Sequence, residues 1–277
     1  VYLPVDGQIT EVNDELDETP ANVNKSPFED GWFVQIKISD PGQLDGLLDA
    51  LPGLLERAPD QPHTGYVADV AGRCHVVPVG VDLADVPVRS VDAPTPDVPT
   101  VLWNQRWDHD KNPTAVFNAL GRLADEGIGF AVAVVGENER VDPREFTLAR
   151  ERLGDRVVQF GFLDRPAYAD LLGRADVVVS AAHHEFFGIA VVEAIAAGCL
   201  PVLPAHQSYP GLVGDWADVA LYPDGGLTTR LRDVLIDLPA WRARAVGLDA
   251  SIRRFDWLTV ISDYDDRLER LAADGPP

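Results

Sequence analysis

The sequence predicts an α/β protein, a doubly wound parallel sheet preceded by a small β-rich segment. Three observations carry that expectation. From about Leu48 onward, apolar runs alternate with amphipathic stretches, the pattern of βαβ units in a parallel sheet. Residues 1–47 read differently, as short strand-like runs broken by turn-forming stretches. The chain has 277 residues with 46% hydrophobic and 25% charged content, enough for one large or two modest domains and not the composition of a disordered protein.

In the leading segment, strands are expected around 1–3, 8–12 and 32–38, separated by turns such as Pro4-Val5-Asp6-Gly7 and Glu29-Asp30-Gly31. In the remainder, strands are expected over 76–79, 101–104, 130–135, 157–160, 177–180, 200–203 and 219–222. Helices are expected over 113–126, 144–153, 167–174, 188–197, 227–237 and 257–273, and together these elements form one Rossmann-like domain. The proline-rich stretch 86–100 reads as a connecting loop.

Acidic residues number 45 against 23 basic ones, a net charge of −22, so the surface is a dense carboxylate field that repels nucleic acid and anionic membranes except at a local basic cleft. Lysine occurs only at Lys25, Lys37 and Lys111, arginine supplying the other cations, a pattern that suits a salt-loving, halophilic source or GC-biased codons. Cys74 and Cys199 are far apart and lack metal or redox spacing, which favours a reduced, cytoplasmic setting. No apolar run approaches the roughly 18 residues that span a bilayer, so no membrane partner is expected. The chain lacks methionine and begins at Val1, which reads as a fragment or a processed product.

The motif with the most chemistry is Glu185-Phe186-Phe187-Gly188-Ile189-Ala190-Val191-Val192-Glu193, an E-x7-E pattern between a buried strand and a helix. Gly188 permits a tight turn at the helix start, where free N–H groups and the helix dipole favour phosphate or sugar hydroxyls. Glu193, farther along that helix, can accept two hydrogen bonds from ribose hydroxyls, and Glu185 can accept from hexose hydroxyls. A second cluster, Leu102 to Pro113, places Arg106 and Lys111 in R-x4-K spacing between a strand end and a helix. Two cations at the carboxyl edge of a parallel sheet suit a pyrophosphate, and fixed cations can stabilise a departing diphosphate without a metal. Read alone, the two glutamates are better taken as an ordinary helix acid and a loop acid; their position at a strand-to-helix switch, together with the second cluster, points to a nucleotide-sugar site.

These runs, WNQRWDHDKNP, then VVGE at 134–137, then ADVVVSAAHHEFFGIAVVEAIAAGCLPVLP, resemble the retaining GT-B glycosyltransferases and, within them, the tRNA-queuosine alpha-mannosyltransferases. The resemblance runs from about Leu48 to the C-terminus. It implies the C-terminal, donor-binding domain of such an enzyme, GDP-mannose as co-substrate, no cofactor or metal, and a tRNA acceptor. It implies that Arg106 and Lys111 hold the diphosphate, Glu185 the sugar, Glu193 the ribose, and the backbone of Phe187 and Gly188 the hexose hydroxyls. Gly136 and Glu137 would lie beside the nucleotide. His184 suits a sugar or phosphate contact or simple loop packing, His109 reads as a solvated loop residue, and Tyr209-Pro210 resembles a loop near the nucleobase.

Residues 1–47 resemble the C-terminal half of the glycine cleavage system H protein, whose flattened barrel closes from two halves. This stretch is therefore expected to be a half-barrel with open strand edges, and neither Lys25 nor Lys37 matches the lipoyl-bearing lysine. The implied division is 1–47 for this segment, 48–82 for a remnant of the N-terminal GT-B domain with its crossover, and 83–277 for the donor domain. The N-terminal, acceptor-binding domain is otherwise missing, and the two resemblances overlap near 47–50, as in a chimera. Three readings stay open: a mannosyltransferase, a module that binds the donor without turning it over and, as the weakest, a lipoyl-carrier relative.

Overall fold

The computed structural model describes residues 7–12, 34–38, 78–89, 96–137 and 144–274. The expected strand at 1–3, the start of the one at 32–38, Val76, Val77 and the domain remnant before Pro78 lie outside the described residues. Residues Val79–Val260 form one compact unit. Outside it, β1 (Gly7–Val12) pairs antiparallel with β2 (Val34–Ile38), with a register shift between Ile9 and Glu11.

The compact unit is built on β3 (Thr100–Asn104), β4 (Ala131–Val135), β5 (Val157–Gly161), β6 (Val177–Val179), β7 (Leu200–Pro204) and β8 (Leu221–Tyr222). They form a six-stranded parallel sheet in the order β5-β4-β3-β6-β7-β8. Successive side chains of a strand leave by opposite faces, and here both faces are covered. Val101, Trp103, Val132, Val134, Val177 and Val179 join one core layer, whereas Leu102, Ala133, Val135 and Val178 join the other. That is why β3 and β6 read as continuous apolar runs rather than as alternating ones.

Helices α1 (Pro113–Asp125) and α2 (Arg144–Leu153) pack on the first face, and α3 (Arg165–Arg174) and α4 (Ile189–Ala196) on the second. Pro113 opens α1, where its missing N–H is not needed. Asp164 caps α3 by accepting from the Ala167 amide at 3.0 Å, which starts that helix two residues earlier than expected.

Between β7 and the C-terminus, four short helices were not expected from the sequence: α5 (Tyr209–Val213), α6 (Ala217–Ala220), α8 (Leu238–Arg244) and α9 (Leu248–Ile252). One or two turns are too few for a helical period to show. The expected strand at 219–222 is divided, since Val219 and Ala220 end α6 and only Leu221 and Tyr222 pair with β7. The other two helices are α7 (Leu227–Ile236) and α10 (Trp257–Asp274), as expected. No strand forms at Pro78 and Val79; Val81 instead makes an isolated parallel bridge to Asp256, donating to the Phe255 carbonyl at 2.8 Å. No helix among the described residues is long and apolar enough to cross a membrane.

Candidate functional site

The chain runs from β3 to β4 on one side of the sheet and from β6 to β7 on the other, so its winding reverses between β3 and β6. Loops leaving two such strands diverge and open a crevice beyond their carboxyl ends. The two motifs lie on these loops.

After β3, Gln105 and Trp107 are buried while Arg106 between them points outward, its side chain 61% exposed. Trp107 anchors the loop by stacking on Phe146 with centroids 4.2 Å apart and meeting Phe160 edge-on at 4.8 Å. Its amide donates to the Glu137 carbonyl at 3.1 Å. Gly136 passes so close that an added Cβ would lie 1.8 Å from the Gln105 carbonyl oxygen. Gly136 and Glu137 thus meet the backbone on either side of Arg106.

A single 3-10 turn, His109–Lys111, follows, capped by Asp108, which accepts from the His109 amide at 2.8 Å. His109 is exposed. The turn delivers Lys111 into the protein, where the residue is 7% exposed. Its Nζ donates to the His184 carbonyl at 2.8 Å and to Glu185 Oε2 at 3.2 Å, and lies 3.3 Å from Asp110 Oδ2. The His183 amide donates to the Asp110 carbonyl at 2.8 Å, which completes the link between the two loops. His184 thus contributes its main chain, while its side chain is exposed.

Gly188 precedes α4 with φ 90°, a conformation that disfavours side chains, although an added Cβ would meet nothing closer than 3.5 Å. Phe187 stands before it; its ring meets Phe255 edge-on and its carbonyl accepts from Ser208 Oγ at 3.3 Å. Glu193, one turn into α4, is buried. Its carboxylate accepts from the Arg165 guanidinium and, at 3.1 Å, from the Tyr168 hydroxyl. Arg165 also holds Asp85, which lowers that carboxyl below its usual range and raises the guanidinium above its own.

The structure therefore brings Lys111, Glu185 and the His184 carbonyl together and gives Glu193 a different set of partners. Arg106 pairs only loosely, 3.8 Å from Asp108 and 4.0 Å from Asp110. Beneath the loops, Gln105 Nε2 donates to Ser180 Oγ at 2.8 Å, Tyr209 shares that hydroxyl at 2.7 Å, and Tyr222 donates to the Ser180 carbonyl at 2.8 Å. Burial, and then the charge of Glu185, raise the Tyr209 phenol well above its usual range, so it keeps its proton. Tyr209 is thus part of the buried floor of the crevice. The buried Asn104 Oδ1, Gln105 Oε1 and Asp110 Oδ1 make no hydrogen bond among the described residues.

Sequence reasoning gave no role to Asn104, Gln105, Arg165, Tyr168 or Ser180. Two of the signals were visible: Asn104-Gln105 and Ser180 are polar residues closing otherwise apolar strands. Arg165 and Tyr168 carry no such local mark. Among the described residues no group of three or more histidine, cysteine or acidic side chains could hold a metal ion. The arrangement offers two cations, exposed Arg106 and buried Lys111, and two carboxylates, half-buried Glu185 and buried Glu193.

Residues 89–238 match the family model of the glycosyl transferases group 1, and residues 1–52 match that of the glycine cleavage H-protein. Over 173 residues, 60% of this chain, the sequence is 33% identical to the tRNA-queuosine alpha-mannosyltransferase of Drosophila melanogaster, spanning 46% of that protein. Over 50 residues, 18% of this chain, it is 50% identical to the glycine cleavage system H protein of Vibrio vulnificus, spanning 40% of it. The solved structure of sucrose-phosphate synthase from Thermosynechococcus elongatus shares the fold, with a TM-score of 0.62 at 22% identity over 83% of this chain and 63% of that one. The chain thus spans less than two thirds of each of these proteins.

Proposed function

The chain belongs to the glycosyl transferases group 1 family, and on that premise we propose that it binds a nucleotide-activated sugar between the β3 and β6 loops and transfers the hexose with retention. One observation carries the reading: at the point where the sheet's winding reverses, a buried lysine joins a carboxylate across the two loops. In the proposed division, residues 83–277 bind the donor and 48–82 correspond to the end of an acceptor-binding domain and its crossover.

The donor diphosphate takes hydrogen bonds from Arg106 and Lys111, whose charge opposes the negative charge that builds up as the C1–O bond to phosphate breaks. The electron pair of that bond goes to the phosphate oxygen. The acceptor hydroxyl bonds to C1 on the same face, and its proton passes to the departing phosphate. Glu185 accepts from hexose hydroxyls, with the Phe187 and Gly188 backbone and His184 beside it. Glu193 accepts from the ribose, and Gly136 and Glu137 border the nucleotide. The positive charge needed is assigned to these two side chains, with no cofactor.

The finer reading makes GDP-mannose the donor and queuosine in tRNA the acceptor. It is supported by the 33% identity to a protein named for that modification and by the run His183-His184-Glu185-Phe186-Phe187-Gly188. The second reading is donor binding without turnover, since every residue assigned above contacts the donor and none the acceptor.

Parallel calorimetric titrations with GDP-, UDP- and ADP-sugars, followed by a turnover assay on queuosine-containing tRNA, test both. GDP-mannose binding is expected to be tightest, and turnover separates the enzyme from the module. Glu193→Ala is expected to weaken the donor by about 1–3 kcal/mol, the scale of an unmet buried polar partner, while the exposed Glu151→Ala changes little. Equal affinity of the two variants would remove the ribose assignment.

A further inference from the structure

Two side chains of α3 hold the carboxylate of Glu193, which is 8% exposed: Arg165 donates to Oε1 and the Tyr168 hydroxyl donates to Oε2 at 3.1 Å. The tyrosine is itself held. Asn104 Nδ2, at the carboxyl end of β3, donates to the Tyr168 oxygen at 2.8 Å and to the Ala190 carbonyl of α4 at 2.8 Å. A phenol has one proton to give, and with Asn104 donating to its oxygen, the Tyr168 proton is directed to Glu193. Burial, and then the charge of Glu193, raise this phenol well above its usual range, so the proton stays on it.

An ionised carboxylate offers about four acceptor positions, two on each oxygen. Arg165 uses one on Oε1 and Tyr168 uses one on Oε2. One position then remains on each oxygen, and two neighbouring hydroxyls on one ring need that pattern. Without Tyr168, Oε2 would lose its fixed partner, and the carboxylate, held by Arg165 at Oε1 alone, would be less restrained about its last torsion, a broad one.

We propose that Tyr168, held by Asn104, is a positioning residue that fixes Glu193 to accept both ribose hydroxyls of the donor, so that α3 sets the preference for a ribonucleotide. The proposal rests on the nucleotide-sugar reading above. Tyr168 need not touch the donor to act, because its hydroxyl works through Glu193.

Calorimetric titration of the full chain with GDP and with 2′,3′-dideoxy-GDP tests this, in the wild-type protein and in Tyr168→Phe. The wild type is expected to prefer GDP by about tenfold or more, as a site built for a hydroxyl rejects the analogue lacking it. Tyr168→Phe is expected to cut that preference by about three- to tenfold by weakening GDP alone. Loss of packing would instead weaken both nucleotides together and leave their ratio unchanged. Asn104→Ser, which leaves the phenol but removes its hold, is expected to lower the ratio too, and it serves if Tyr168→Phe does not fold. Variants that keep the wild-type ratio overturn the proposal while leaving the ribose role of Glu193 standing. A wild-type protein indifferent to the two nucleotides overturns that role, and one that binds neither overturns the donor-site reading, in each case taking the proposal with it.

Discussion

Lys111 Nζ donates to Glu185 Oε2 at 3.2 Å, so one buried ammonium ties the loop after β3 to the loop after β6. Arg106, five residues earlier and largely exposed, holds no such link. Lys111→Ala is therefore expected to cost both donor affinity and about 1–3 kcal/mol of fold stability, since it leaves Glu185 and the His184 carbonyl without their donor. Arg106→Ala is expected to lower affinity with stability changed by less than about 0.5 kcal/mol. Urea denaturation alongside donor titration separates the two effects, and equal destabilisation by both variants would argue against the bridge.

Two glycines of the site do different work. An added Cβ at Gly136 would sit 1.8 Å from the Gln105 carbonyl, so Gly136→Ala must displace backbone at the foot of Arg106. At Gly188 space is adequate and only the φ of 90° is unfavourable, a cost of about 1–2 kcal/mol. Gly136→Ala is expected to show the larger loss in melting temperature and in donor affinity.

The buried Asp176 at the start of β6 accepts from Arg89 at 2.9 Å, from Arg242 at 2.6 Å and from the Thr100 amide at 2.8 Å. It pins the amino edge of the sheet, opposite the crevice. Asp176→Ala leaves two partly buried guanidinium groups unpaired and is expected to destabilise the fold by about 3–5 kcal/mol. Any folded fraction, isolated at low temperature, is expected to titrate with donor as the wild type does.

Burial pushes the Cys199 thiol from 9.0 up to about 12. The folded chain holds this proton more tightly than the unfolded one, so the stabilisation is whole below about pH 9 and is lost as pH rises through about 12. The buried phenols of Tyr168, Tyr209 and Tyr222 shift the same way and add to the slope. Stability measured by denaturant is expected to decline above pH 9, by at most about 1.4 kcal/mol per pH unit for each group. Cys199→Ala is expected to flatten that decline; an unchanged slope would assign it to the tyrosines alone.

What the sequence by itself determined is local. The continuous apolar runs of β3, β4, β6, β7 and α4 report burial on all sides, and the 3.6-residue periodicity of α1 and α2 reports one buried face, because burial selects apolar side chains at positions set by the local geometry. The places of Arg106, Lys111, Glu185 and Gly188 at strand-to-helix turns were legible for the same reason. The tertiary structure decided what each group meets. That Lys111 lies against Glu185, 74 residues on, and Glu193 against Arg165 and Tyr168, 28 and 25 residues back, depends on the strand order β5-β4-β3-β6-β7-β8. A hydrogen bond between distant residues leaves no period in the chain, since its partners are neighbours only once the sheet has brought their loops to one edge.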